Sequence, residues 1–181
     1  MRKNLLFAVF TLLLGVPFAH AQLGTTAPTN NVSVTVGPEA ALTIQGGGTT
    51  TLASVGTNFA NYTGTTNFTY FIRTTESTGS GTINLKVTTD FICANGGPCV
   101  TTPPSVGDAL SYTCTVAAPG TGCSSATNAS TSTTTSVATF AAGAHSAKAG
   151  NAASVGWTLT NDPVYKTGTY TATVTFTINA V

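Results

Sequence analysis

Apolar and polar residues alternate along much of the chain with the two-residue period of a β-strand that buries one face. The clearest run lies near the C-terminus, where threonine occupies every odd position from Thr169 to Thr177 and apolar residues occupy the even positions from Tyr170 to Ile178. Threonine, aromatic and β-branched residues are the best strand formers. The run therefore predicts a strand over 169–178, with one face in the core and a row of threonines in water.

The same alternation occurs earlier in the chain. Even positions from Val32 to Ile44 are apolar, with a bend at Gly37-Pro38, which predicts two short strands or one bent strand. Further strands are predicted near Phe68–Ile72, Ile83–Phe91, Leu110–Val116, Val137–Phe140 and Val155–Leu159. We expect the first two of these to form a hairpin. No segment has a convincing helical period, so we predict an all-β fold, an antiparallel immunoglobulin-like β-sandwich of about seven to nine strands.

The N-terminus has the features of a secretory signal peptide. Arg2-Lys3 forms a basic start, an apolar run follows from Leu5 to Val16, and Ala19-His20-Ala21 is a small-x-small cleavage site. The run is too short for a transmembrane helix, which needs about 20 residues. We therefore expect a signal peptide over 1–21, a flexible tail over 22–31, a single domain over 32–181 and no membrane span after cleavage.

Charged residues are scarce, at 6% of the chain, against about 25% in an ordinary soluble domain. Loss of Arg2-Lys3 with the signal peptide leaves four basic residues against five acidic ones, a net charge of −1. Nucleic-acid binding requires a basic surface, so the composition argues against that class of partner. The predicted location is secreted: extracellular, on the cell surface or periplasmic.

Four cysteines in an exported chain predict disulfide bonds. Cys93 and Cys99 enclose a short loop that contains Gly96-Gly97, whereas Cys114 and Cys123 enclose a longer one. We favour these two local pairs, and we expect both to hold loops without joining the sheets. The other pairings stay open. A zinc site made by all four cysteines is a further alternative, but the Cys-x-x-Cys spacing is missing.

The sequence contains no recognisable catalytic set. His145 is the only histidine after residue 21, and its Ala-, Gly- and Ser-rich surroundings predict an exposed loop instead of the base of a triad. The five acidic residues are scattered, with neither a carboxylate pair nor a calcium-binding pattern. We therefore predict a protein that is not an enzyme and that uses no metal or other cofactor.

Four residues are predicted to anchor the core: Trp157, Tyr170, Val174 and Phe176. Trp157 lies in an alternating run between Val155 and Leu159, which argues for burial over sugar stacking. Gly168-Thr169-Tyr170 resembles the tyrosine corner of immunoglobulin-like sandwiches, in which the tyrosine hydroxyl bonds back to the nearby backbone.

The stretch from Asp162 to Ile178 resembles the closing strand of spore-coat-protein-U-like and related chaperone–usher fimbrial subunits. This resemblance implies a pilin-like structural subunit of a surface or extracellular filament. In that family an N-terminal strand completes the sandwich of a neighbouring subunit, and Val32, Val34 and Val36 would be its apolar face here. The expected partner is then another copy of the chain.

A secreted, monomeric module that binds carbohydrate or another surface is the alternative function. Its contact surface would consist of loops or of the threonine row from Thr169 to Thr177, although threonine is also an ordinary choice for an exposed strand position. In this alternative, Val32 to Val36 completes the sheet of its own chain.

Overall fold

The computed structural model describes residues 29–91, 93, 96–101 and 107–181. The predicted signal peptide over 1–21 and most of the predicted tail over 22–31 lie outside the described residues. The chain divides into two units, Met1–Thr35 and Val36–Val181. In the first unit, residues 29–35 form no strand and are exposed. The second unit contains every strand that follows.

The second unit is an antiparallel β-sandwich, which confirms the predicted all-β class. The first sheet contains, in spatial order, β1 (Glu39–Ile44), β3 (Tyr62–Arg73), β9 (Asn151–Leu159), β5 (Ser111–Val116) and β7 (Thr127–Asn128), with β2 (Ala53–Ser54) paired to the start of β3. The second sheet contains β10 (Thr173–Ala180), β4 (Gly81–Thr89), β8 (Thr135–Phe140) and β6 (Thr121–Gly122). Seven of these strands have six residues or more.

The predicted hairpin between β3 and β4 is wrong, because the two strands lie in different sheets. Their connection crosses from one sheet to the other. Thr74 in this connection is buried, and its hydroxyl donates to the carbonyl of Ala141 at 2.8 Å and accepts from the amide of Ala144 at 2.9 Å. Among the described strands, only β2 and β3 are both consecutive in sequence and paired.

Apolar residues from the inner faces of both sheets form one core. Its fully buried members include Phe68, Tyr70, Ile83, Leu85, Tyr112, Val137 and Val155. Trp157 lies in this core at 5% exposure, packs on Tyr112 with 5.7 Å between the ring centroids, and donates its indole N–H to Thr66 Oγ1 at 2.8 Å. Val174 and Phe176 are half-buried against the core, whereas Tyr170 lies outside it.

The two ends of the described chain differ from the predicted strands. No strand forms over residues 29–38, so the strand expected around Val32–Val36 is absent and β1 begins at Glu39. The C-terminal strand begins at Thr173, four residues later than its alternating pattern indicates. Residues 160–172 instead form an irregular connection between β9 and β10.

The structure joins Cys93 to Cys99 and Cys114 to Cys123, the pairing that the spacing favours. Cys114 belongs to β5 in the first sheet, whereas Cys123 directly follows β6 in the second sheet. The expectation that neither bridge joins the sheets is therefore wrong for this one. The intervening turn, closed by a 3.1 Å bond from the Gly120 amide to the Ala117 carbonyl, carries the chain between sheets within nine residues.

Candidate functional site

A cleft opens between the two sheets on the side where their edge strands β1 and β10 lie. Its volume is about 770 Å³. The buried side chains of Leu110, Trp157 and Leu159 line it, together with half-buried side chains that the edge strands contribute. These edge residues are Ile44 of β1 and Val174 and Phe176 of β10. Polar residues also line it, among them Thr49–Thr51, Asp162 and Lys166. The cleft therefore has an apolar base of core side chains, which the two edge strands leave incompletely covered, and polar residues around it.

The backbone of β10 is unpaired on the side that faces away from β4. Val181 and Ser80 exchange two hydrogen bonds, of 2.9 and 3.3 Å, so they form a bonded pair of the antiparallel ladder. Bonded and non-bonded pairs alternate along such a ladder, and the register is regular from Val181 back to Val174. The N–H and C=O groups of Val174, Phe176 and Ile178 therefore point to the open edge of the second sheet.

The backbone of β1 has the same arrangement. The amide of Gln45 donates to the carbonyl of Asn67 at 2.8 Å, which continues the register between β1 and β3. Ala40, Leu42 and Ile44 alternate with the bonded positions, so their backbone groups point to the open edge of the first sheet. The Cα atoms of β1 and β10 approach within 8 Å. At both edges, the residues whose backbone groups are unpaired are also those whose side chains pack against the core. Two open strand edges thus border the same cleft.

The connection between β9 and β10 forms one wall of the cleft, and Tyr170 holds it in place. The Tyr170 hydroxyl donates to the Lys166 carbonyl at 2.8 Å, and the Lys166 amide donates to the Gly96 carbonyl at 2.9 Å. The Tyr170 ring lies so close to Gly97 that a Cβ there would stand 2.0 Å from Cε1. Tyr170 therefore links the wall to the loop that Cys93 and Cys99 close.

Tyr165 is the most strongly perturbed titratable group of the cleft. Its hydroxyl is buried and has no hydrogen-bond partner within the part of the chain that the structure describes. Burial and the nearby carboxylates of Asp108 and Asp162 raise the pKa of Tyr165 to about 12. Each of these effects disfavours the phenolate, so the phenol stays neutral at physiological pH.

We expect the Y165F variant to keep its stability at neutral pH and to lose less of it in alkali. Between pH 10 and 12 the unfolded chain has released the Tyr165 proton while the folded chain retains it, so stability falls as pH rises through this range. Phenylalanine removes this contribution. Chemical denaturation at pH 7, 10 and 12 measures the effect.

The matched control for Y165F is Y170F. It removes a hydroxyl that makes a 2.8 Å bond, so it should lose about 1 kcal/mol of unfolding free energy at pH 7. Equal losses in the two variants at pH 7 would contradict an unpartnered Tyr165 hydroxyl.

The predicted assembly residues are exposed. Val32, Val34 and Val36 have 91%, 84% and 62% of their surface accessible. All four predicted core anchors line the cleft: Trp157, Tyr170, Val174 and Phe176. Leu110, from the start of a predicted strand, also lines it, as do Tyr165 and Phe59, which the sequence patterns did not indicate. They lie far apart in the chain, and no local periodicity indicates that they meet.

A smaller cleft of about 370 Å³ lies at the other end of β3. Arg73 lines it, forms a 3.1 Å ion pair with Glu39 and donates a 2.7 Å hydrogen bond from Nε to the carbonyl of Gly37. His145 is exposed there, as its sequence context predicts. Within the described ranges, no three His, Cys, Asp or Glu side chains are grouped closely enough to hold a metal ion.

Over the described residues, no helix has the length and apolar character that membrane crossing requires. Comparison of the chain with protein-family models, with curated proteins and with solved structures gives no match.

Proposed function

We propose that this protein is an exported structural subunit of a filament, in which each copy donates its N-terminal segment to the cleft of the next copy. The observation that carries the proposal is the apolar cleft with two open strand edges, in a chain that also exposes three alternating valines. A donated strand would cover the cleft and bury the valines. Full burial of one valine side chain contributes about 1.5–3 kcal/mol.

The order of the strands supports the addition of one more. In an immunoglobulin-like sandwich one sheet has the order A-B-E-D, and strands C, F and G form the other. Here β1-β3-β9-β5 corresponds to A-B-E-D, and the neighbours β4 and β10 correspond to C and F. The bond from Tyr170 to Lys166, just before β10, agrees with the tyrosine corner of this fold. No described strand occupies the position of strand G beside β10.

The N-terminal segment has the pattern that such a position requires. Side chains alternate between the two sides of a strand, so Val32, Val34 and Val36 can enter the cleft together while Ser33 and Thr35 face solvent. The backbone of the added strand would pair with the open groups of Val174, Phe176 and Ile178. In strand addition the main-chain bonds give affinity, and the alternate side chains select the partner.

Two further features agree with an exported, self-assembling protein. The bonds Cys93–Cys99 and Cys114–Cys123 are typical of proteins in oxidising compartments such as the periplasm or the extracellular space. The charged fraction of 6% leaves little electrostatic repulsion between copies.

Assembly of the chain from Gln22 onward tests the proposal. We expect filaments by negative-stain electron microscopy and large species by sedimentation velocity. A synthetic Asn31–Gly37 peptide in excess should shorten the filaments, because it occupies the clefts of growing ends. A control peptide with the three valines replaced by serine should have no effect. A monomer at every concentration would contradict the proposal and would favour a monomeric surface- or carbohydrate-binding module.

A further inference from the structure

We propose that consecutive subunits also meet body to body, through an apolar end surface formed by Val55, Phe59 and Val164. This surface would contact the domain of the copy whose strand fills the cleft. The inference rests on the proposed function and deepens it, because it fixes the end of the cleft at which the donated strand leaves and the donor domain begins.

The three residues project from two loops at one end of the sandwich. Val55 and Phe59 precede the start of β3, and Val164 follows the end of β9, where Tyr62 pairs with Leu159. Their exposed fractions are 83%, 59% and 66%. A single exposed apolar residue is ordinary on a protein surface. Here three large apolar residues are exposed at one end of the sandwich, and Phe59 also lines the cleft. They therefore extend the proposed interface beyond the cleft.

The structure holds Phe59 in a conformation that a bulky residue rarely adopts. Its φ is +54°, in the left-handed region, and such strain persists where the surroundings enforce it and is concentrated at functional positions. Here the carbonyl of Ala60 accepts hydrogen bonds from Ser54 Oγ at 2.5 Å and from Asn161 Nδ2 at 3.3 Å. The turn therefore presents an apolar side chain to solvent in a fixed position.

The Asn161 bond also connects the two loops. It links the turn before β3 to the connection that carries Val164, whose amide donates to Asp162 Oδ1 at 2.8 Å. Surfaces that are ordered before binding lose less conformational entropy on docking. The apolar end surface is thus built on hydrogen-bonded loops.

The length of the linker identifies the donor domain as the occupant. Only Gly37 and Pro38 separate Val36 from Glu39, the first residue of β1. Two residues span at most about 7 Å, so the donor domain must lie against the acceptor where the donated strand leaves the cleft. An added strand that runs antiparallel to β10, as neighbouring strands of the sandwich do, passes from Ala180 towards Thr173. It therefore leaves the cleft at the end where the connection from β9 reaches β10, which is the end that carries the apolar surface. The donor domain would meet this surface with its own Glu39 end.

The test uses a V55S/V164S variant of the chain from Gln22 onward, because neither residue lines the cleft. We expect the protein concentration at half-maximal assembly to rise about tenfold, which corresponds to ~1.4 kcal/mol. The matched control is T113S/T115S, which removes a methyl group from each of two exposed residues of β5, on the side of the first sheet opposite β1, and should assemble as the wild type does. A V55T/V164T variant, which conserves side-chain shape, provides a second measurement if the serine variant unfolds.

Peptide binding separates this inference from the proposed function. With V34D added to disable donation, the V55S/V164S chain should bind the Asn31–Gly37 peptide with unchanged affinity. Normal assembly of V55S/V164S and V55T/V164T would overturn the end surface and leave strand donation intact. Equal impairment of T113S/T115S would show that assembly responds to the loss of exposed methyl groups away from this surface, and it would also overturn the end surface. Absence of both filaments and peptide binding in the wild type would overturn both proposals.

Discussion

The V34D variant should abolish filament formation while the domain itself stays folded. Val34 is the central valine of the donated face, and its side chain is 84% exposed in the free chain, so aspartate there does not disturb the sandwich. In a neighbour's cleft the carboxylate would be buried among apolar side chains. The loss of hydration is on the order of 4 kcal/mol per junction, which lowers affinity roughly 1,000-fold. Sedimentation velocity and electron microscopy measure the assembled fraction.

The matched control for V34D is S33D, which places the same charge on the adjacent position. Ser33 alternates with the valines, so its side chain would face solvent in a donated strand. S33D should therefore assemble nearly as well as the wild type. If V34D and S33D assemble equally, whether both succeed or both fail, the valine face does not enter a cleft and strand donation as proposed is incorrect.

Removal of the Cys114–Cys123 bridge should have the largest effect on the stability of the folded domain. A bridge over nine residues contributes about 2–3 kcal/mol on the chain-entropy model, or roughly 4–12 °C in melting temperature for a domain of this size. The bridge also joins the two sheets at β5 and β6. We therefore expect the C114S/C123S variant to lose amide-exchange protection at Thr121–Gly122, because this two-residue strand has few other contacts.

The comparison variant is C93S/C99S. Its bridge closes a loop that supports Tyr170 and the wall of the cleft, so its exchange changes should be confined to that loop and to Lys166–Tyr170. Thermal unfolding and hydrogen exchange distinguish the two variants. Unchanged protection at β6 in C114S/C123S would contradict a bridge that holds the sheets together.

The period-two patterns predicted the long strands of the sandwich, because alternation reports directly which face of a strand is buried. They were wrong at Val32–Val36, where no strand forms. They did not predict the partner of each strand. Phe68–Ile72 and Ile83–Phe91 are both clear strands, yet they lie in different sheets, since a short connection can cross the sandwich as easily as reverse within a sheet. The role of Cys114–Cys123 was missed for the same reason.

The candidate site was only partly predictable from sequence. The alternating runs predicted Trp157 and Phe176, which line the cleft. The assembly role that the spacing indicates for the valines at 32, 34 and 36 stays a prediction. The cleft itself could not be predicted, because it forms where residues from β1, β9, β10 and their connections meet. The perturbed pKa of Tyr165 likewise depends on Asp108, which reaches it only through the tertiary fold.

The crossed connections of the sandwich have a consequence for the kinetics of folding. Phe68 of β3 pairs with Ala153 of β9, and Leu85 of β4 pairs with Phe176 of β10, so the central strands find their partners only late in the sequence. Long loops must close before such contacts gain free energy, and sandwiches rich in these contacts fold in about milliseconds to seconds. Because β4 pairs with β10, the last strand of the chain, the second sheet cannot be completed before nearly all of the sequence has been synthesised.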